Sequence, residues 1–583
     1  MKENTLGKVI GGSINKGVKA YLEDGESIEH YPIGALITIK GQEHKYLAFI
    51  VDAGITSSED VIGNLMGSNI SQYIRNIVIK ACESTVRRQW VELALVAQAT
   101  LGNDARSADT MPSFYSNLTE TRAEEIEAFF GHEDQEKKWN IGIPKTPKRV
   151  SVEIPVDVEK LVELSFGIFG KSGTGKTFLG NILAGYIVLY DLILRKTSPV
   201  SKRIKMLIFD MHSEYALELK DNMGNVIADG AAKIFSSMFK RYTPDEELAK
   251  NRGLELLKIN YNELSIDDFR LIAPIFGVSE TFLNHLPKYA SIIRKKMKLN
   301  EYWIWGLLLD EYIEEELRRN DEGKLVLKNV LEKAGVRSAE QLREKIIKII
   351  KEKLGHGPEQ AFISQTSKLK RMLRYPYTCH EDIISDIVDN LLSDEGYNIT
   401  ISLGKFEKET PLYMIIANLI AKRLRQKIIE KSEKGEELRT KIVIFLEEAH
   451  NFLSRDSYMQ SPFGDVAREM RKKGVILCVI DQRPSELDPD VISMLWTNFV
   501  FALTNRNDIE AALLGAPKVE LFKKVIPILS KREVLVYGEA IRFPIIIKVK
   551  DYRNVAGLFS EIAFNLRREN KVIEESLREQ GLL

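Results

Sequence analysis

Cysteine is scarce in this chain. There are three in 583 residues, Cys82, Cys379 and Cys478, spaced neither as a metal site nor as a disulfide framework. A cross-linked scaffold is therefore excluded, and the thiols are expected to be small buried hydrophobes of a reducing compartment. Net charge is lacking too, since Lys plus Arg and Asp plus Glu number 83 each. No global field draws such a protein onto a polyanion, so any nucleic-acid contact must come from a local basic surface. No uninterrupted apolar run reaches the roughly 18 residues of a membrane span. The opening residues, MKENTLGKVIGG, lack the apolar stretch of a signal peptide. These absences lead us to expect a cytoplasmic protein without membrane contact.

What is present is an ordinary globular mix, 44% hydrophobic and 28% charged, in a chain long enough for several domains. Residues 7–55 alternate apolar and polar positions between glycine-containing turns, as do Val91–Leu101, with a helical excursion expected between them. Short strands of this kind close into a barrel or sandwich. Residues 103–148 are polar and read as an insertion or connector, with a charged helical piece at Thr121–Phe130.

From about Val150 the texture becomes apolar strands followed by helices, the pattern of a parallel α/β sheet. Leu164–Phe169, Met206–Phe209, Ile442–Leu446 and Val475–Ile480 are apolar runs that each lead into polar residues, as buried parallel strands with active groups at their carboxyl ends do. The expected division is a barrel over 1–149, a first core segment over 150–229, a helical insertion over 230–435 and a second core segment over 436–583. A charged helix, Asn554–Glu575, either closes the fold or braces a neighbouring subunit.

Four strand ends carry chemistry. The strand ending at Phe169 runs into GKSGTGKT and then a helical pattern, the context a phosphate loop requires. Gly170, Ser172, Gly173, Thr174 and Gly175 turn backbone N–H groups toward phosphate, and Phe178 follows on the helix. Lys176 would reach the β- and γ-phosphates of ATP, and Thr177 would ligate Mg2+. The Ile442–Leu446 strand ends in Glu447 and Glu448, the first acid for the metal, the second as general base. The third end, Asp210-Met-His212-Ser-Glu214-Tyr215, groups ionisable side chains: Glu214 is a candidate for positioning water, and His212 is either structural or part of that set. The fourth, Asp481-Gln482-Arg483, offers the Gln482 amide as a sensor of γ-phosphate and water. On the segment before that strand, Arg468, Arg471 and Lys472 share one face by their spacing. Lys368, Lys370, Arg371 and Arg374 form another basic run, read as the solvated face of an amphipathic helix or as a DNA contact.

These motifs, SGTGKT, FDMHSEY, FLEEAHNF, AREMRKKG and DQRPSELD, in this order, resemble the HerA family of the HerA–FtsK branch of P-loop motor ATPases. The resemblance implies an α/β fold with a P-loop RecA-like parallel sheet core, an N-terminal β-barrel and an inserted helical subdomain. It further implies a homohexameric ring that hydrolyses ATP at subunit interfaces and translocates double-stranded DNA through its pore. Its partner would be a NurA-like nuclease or a sirtuin-like NAD-consuming effector. Carried onto this sequence, the family roles fall on Lys176 and Thr177 for nucleotide and Mg2+, Glu448 for water activation and Gln482 as sensor. Arg471 is the candidate arginine acting across an interface, with Arg468 in reserve. Two features depart from the pattern. Glu447 stands where aspartate is commoner, and extra helical sequence around Glu301–Lys353 leans toward a bacterial defence-type member. The competing readings are an ATPase scaffold that regulates an effector and a protein-remodelling ring of the AAA+ class, whose layout the QRPS and FDMHSEY elements do not fit.

Overall fold

The computed structural model describes residues 5–23, 26–56, 88–100, 103–134, 136–148, 150–197, 202–221, 223–378, 381–455 and 461–579. Cys82, Cys379 and most of the expected excursion between Ile55 and Val91 lie outside the described residues, whereas Cys478 is a free, buried thiol. The chain forms two compact units. The first comprises residues 1–199, 448–450 and 476–559, and the second 200–447, 451–475 and 560–583.

The first unit opens with seven strands: β1 (Gly7–Ser13), β2 (Gly17–Leu22), β3 (Leu36–Lys40), β4 (His44–Thr56), β5 (Arg88–Thr100), β6 (Asn103–Ser107) and β7 (Asn117–Glu120). Their order is β2-β1-β7-β3-β4-β5-β6, and a further β2–β5 pairing closes the first six into a barrel. Alternate residues point inward, as the two-residue period requires: Val18 and Ala20, Ile37 and Ile39, Ala48 and Ile50, Val91, Leu93 and Leu95 form one buried cluster. The opposite face of β4 is covered as well, where Phe49 meets Phe522 edge-on. The expectation for 103–148 needs correcting. β7 is an integral barrel stave between β1 and β3, too short at four residues to show a period, and Lys138–Pro144 is a strand of the unit's second sheet.

That second sheet runs, in order, Val475–Asp481, Phe166–Phe169, Thr497–Phe501, Glu533–Gly538, Ile545–Val549, Lys138–Pro144 and Ile154–Asp157. Phe166–Phe169 is parallel to both its neighbours, and the remaining pairings are antiparallel. The helix Lys176–Thr197 follows the first parallel strand. By length and composition alone this helix is apolar enough to cross a membrane, an exception to the reading of the sequence. Two thirds (67%) of its apolar 18-residue stretch is buried inside the protein, as in a core helix. Gly185 lets it approach the C-terminal helix Tyr552–Glu579, since a Cβ there would lie 2.1 Å from the Phe559 ring. Tyr186 packs edge-on against the same ring.

The second unit holds an all-parallel run of Glu255–Leu256, Phe239–Thr243, Asn398–Ser402, Arg203–Asp210 and Thr440–Glu447. Three of these strands, Glu255–Leu256, Phe239–Thr243 and Asn398–Ser402, lie within residues 230–435. Helices occupy much of Ile266–Leu369, bracketed by a parallel pairing of Ile259–Asn260 with Tyr377–Thr378. This excursion is the inserted helical part of an otherwise α/β core. It carries its own buried aromatic centre around Trp303, Trp305, Tyr261 and Tyr289.

Candidate nucleotide site

Register decides what meets what in the first unit. Phe169 is aligned with Asp481 across the parallel pairing, so the loop leaving one strand and the Asp481–Gln482 end of the next emerge side by side. The Gly170 N–H donates to the Asp481 carbonyl (3.2 Å) and the Lys171 N–H to the Ala502 carbonyl (3.1 Å), fixing the root of the loop to both flanking strands. Gly170, Gly173 and Gly175 have φ of 154°, 75° and 121°, conformations that L side chains rarely adopt. A Cβ on Gly170 would also lie 2.5 Å from that of Phe501. The loop is thus a cradle that glycine alone fits.

Within it, Thr174 Oγ1 donates to the Lys171 carbonyl (2.7 Å), and Ser172 is exposed at the tip. Lys176 Nζ donates to the carbonyls of Gly170 (2.7 Å) and Lys171 (3.0 Å), which holds its ammonium across the mouth of the loop. Thr177 opens the helix, its carbonyl accepting from Asn181 Nδ2 at 3.0 Å. Phe178 lies half-buried beside Tyr552, ring centroids 6.0 Å apart. Exposed backbone donors, one lysine and one threonine hydroxyl at a helix N-terminus are the donor set a triphosphate with Mg2+ requires.

Glu448 belongs to the same unit. It is half-buried and adopts a left-handed backbone, φ 47°, unusual for a residue other than glycine. Gln482 Nε2 donates to its Oε1 at 2.6 Å, so the expected base and the expected sensor are in direct contact. His450 Nδ1 lies 3.0 Å from Asp481 Oδ2 and 3.7 Å from Glu448 Oε2. Hydrogen bonding to Asp481 holds the imidazole pKa above its ordinary value, against the lowering effect of burial. Glu448, His450 and Asp481 bring ligand-capable atoms within 4.8 Å of one another. A proton on Nδ1 shared with Asp481 accounts for that spacing without a metal.

Reading the sequence passed over three contributors here. Asp481 and His450 were visible only as neighbours of Gln482 and Glu448. Arg532, left-handed at φ 67°, donates its N–H to the Thr174 carbonyl (2.8 Å) and pairs with Asp551 (3.2 Å). No spacing rule connects it to a loop more than 350 residues earlier.

The other expected site residues lie in the second unit. Glu447 is buried and accepts the Met211 N–H at 3.0 Å, so its carboxylate is held at the end of its strand. Asp210 is committed to structure. Its fully buried carboxylate accepts the N–H groups of Glu214, Tyr215 and Ala216 at 2.7–2.9 Å and shapes the turn. Burial pushes that carboxyl up to about 7, opposed by these same donors. Glu214 is half-buried on the turn and His212 is exposed.

The segment bearing Arg468 and Arg471 is a helix, Pro462–Glu469, that tightens into a 3-10 turn, Met470–Lys473. Arg468 is tied to Asp465 (2.6 Å), while Arg471 is exposed and, among the described residues, without an acidic partner. The basic run at 368–374 is not one solvated face. Lys368 caps the Gly277 carbonyl and Lys370 pairs with Asp310, while Arg371 and Arg374 are exposed on a 3-10 turn.

A glycine cradle ending a parallel strand, with a glutamate and an amide at its side, defines a P-loop NTPase. The family described as the helicase HerA central domain matches residues 140–424. Over that span the chain is similar to the HerA family. It is 22% identical to the DNA double-strand break repair helicase HerA of Pyrococcus furiosus over 70% of this chain and 69% of the relative. It is 23% identical to the probable helicase MJ1565 of Methanocaldococcus jannaschii, over 69% and 66%. The probable helicase MJECL08 of the same organism is 29% identical over 27% of this chain and 31% of its own length. The alignments span only 31–40% of four of the first five curated relatives. Among solved structures, the bacterial conjugative coupling protein TrwBdeltaN70 is 14% identical, with a TM-score of 0.41, over 74% of this chain and 92% of that one.

Proposed function

We propose that this protein is an ATP-hydrolysing motor that translocates along double-stranded DNA as a homohexameric ring. The observation that carries the reading is the aligned pair of parallel strand ends, which sets the phosphate loop beside Gln482 and the Glu448 carboxylate it holds. In this reading Lys176 and the loop N–H groups bind the β- and γ-phosphates of ATP. Thr177 and Glu447 would hold Mg2+, which when bound neutralises phosphate charge. Glu448 takes a proton from the attacking water, and Gln482 orients that water and reports the γ-phosphate. Glu214 helps to position it, and Phe178 flanks the nucleotide.

An exposed guanidinium with no acidic partner among the described residues supports Arg471 as the group that reaches a neighbouring subunit's γ-phosphate. Relatives whose names specify DNA double-strand break repair helicases support duplex DNA as the track. The working partner would be a NurA-like nuclease or a sirtuin-like effector.

The test is steady-state phosphate release by the full chain with and without long linear duplex. A motor is stimulated several-fold by duplex DNA. Turnover indifferent to duplex would overturn the reading and favour an ATPase scaffold that regulates its effector.

A further inference from the structure

Glu448 is held from two directions, and both holds originate at the same strand end. The Asp481 side chain is completely buried, at 0% exposure, yet its carboxylate accepts three hydrogen bonds. These come from the His450 N–H (2.8 Å), from His450 Nδ1 (3.0 Å) and from the Arg483 N–H (2.7 Å). One buried anion thus ties residue 450 to residues 481–483. The Ala449 N–H completes the tie by donating to the Ile480 carbonyl at 3.4 Å. The residue preceding this anchored pair is Glu448, in a left-handed conformation that costs a non-glycine residue on the order of 1 kcal/mol and persists only where its surroundings impose it.

We infer that the Asp481–His450 pair is a positioning clamp. It imposes the left-handed turn that aims Glu448 while Gln482 fixes the carboxylate itself. His450 is then a positioning residue rather than a catalytic one, acting through Glu448. This rests on the reading of Glu448 as the water-activating acid. Asp481 also accepts the Gly170 N–H through its carbonyl (3.2 Å), so the clamp and the phosphate loop share one anchor. Misplacement of a reacting group by about 1 Å costs roughly 100-fold in rate, which is the scale on which such a clamp acts.

The replacement of choice follows from bond geometry. An asparagine amide nitrogen and a histidine Nδ1 both stand one bond beyond Cγ, so asparagine can donate to Asp481 from nearly the same point. Glutamine fills similar volume but carries its amide one bond further out. Initial rates of ATP hydrolysis over a range of ATP are measured for the full-length His450→Ala, His450→Asn and His450→Gln variants, with thermal melting to check folding.

The expected result is that kcat falls roughly 10- to 100-fold in the alanine and glutamine variants. KM for ATP should stay within about twofold, and asparagine should restore most of the rate, as a change of orientation rather than binding would. Wild-type kcat in the alanine variant would overturn the clamp, as would equal loss in the asparagine and glutamine variants or a rise in KM at unchanged kcat. Should alanine fail to fold, the asparagine–glutamine contrast decides the matter alone. A Glu448→Gln variant run alongside separates the two readings. If it hydrolyses ATP normally, the assignment of Glu448 has failed, whatever His450 does.

Discussion

Replacing Glu448 by glutamine is expected to cut ATP turnover by at least about 100-fold, the scale of a lost general base, with nucleotide binding preserved. Glutamine has nearly the size of glutamate and keeps an oxygen that can accept the Gln482 amide, so the contact at 2.6 Å has a substitute. What it lacks is basicity, so a water aimed at the γ-phosphate has no group to take its proton. Single-turnover phosphate release and equilibrium binding of a fluorescent ATP analogue, measured on the same protein, separate the two effects. Turnover near the wild-type rate would remove Glu448 from the chemistry.

Lys176→Ala is expected to act earlier, on binding. The lysine ammonium already donates to the Gly170 and Lys171 carbonyls across the loop mouth, so little rearrangement brings it to a β- or γ-phosphate. A hydrogen bond to a charged group is worth about 1.5–3 kcal/mol, which corresponds to roughly 10- to 100-fold in Kd. The loss should be much smaller for AMP, which has no β- or γ-phosphate to receive the ammonium. Isothermal titration with ATP and AMP checks both. Unchanged ATP affinity would contradict the phosphate-loop assignment.

Legibility in the sequence followed length and chemistry. GKSGTGKT could be read because a phosphate cradle demands glycines at fixed spacing, and φ values of 154°, 75° and 121° are the physical form of that demand. The long barrel strands could be read because Val91, Leu93 and Leu95 keep period two. β7 could not, since four residues carry no period, and its place between β1 and β3 is set by pairing partners far along the chain. Asn398–Ser402 does alternate polar and apolar residues, but over only five positions, and it is buried on both faces. At the site, Glu448 and Gln482 were legible one at a time as strand-end polar residues. Their mutual contact, and the hydrogen bonds by which Asp481 ties residue 450 to Arg483, join segments 31–34 residues apart, which no local pattern encodes. Asp210 was legible only as one of the ionisable groups at its strand end. That three backbone N–H groups claim it for the turn emerges from the structure.

The central claim, that this site drives movement along duplex DNA, is tested most directly by displacement of a triplex-forming oligonucleotide from a linear duplex. The wild-type protein should release the third strand with ATP and Mg2+ and fail to do so with a non-hydrolysable analogue or as Glu448→Gln. ATP hydrolysed at full rate in the presence of duplex with the third strand left in place would contradict it.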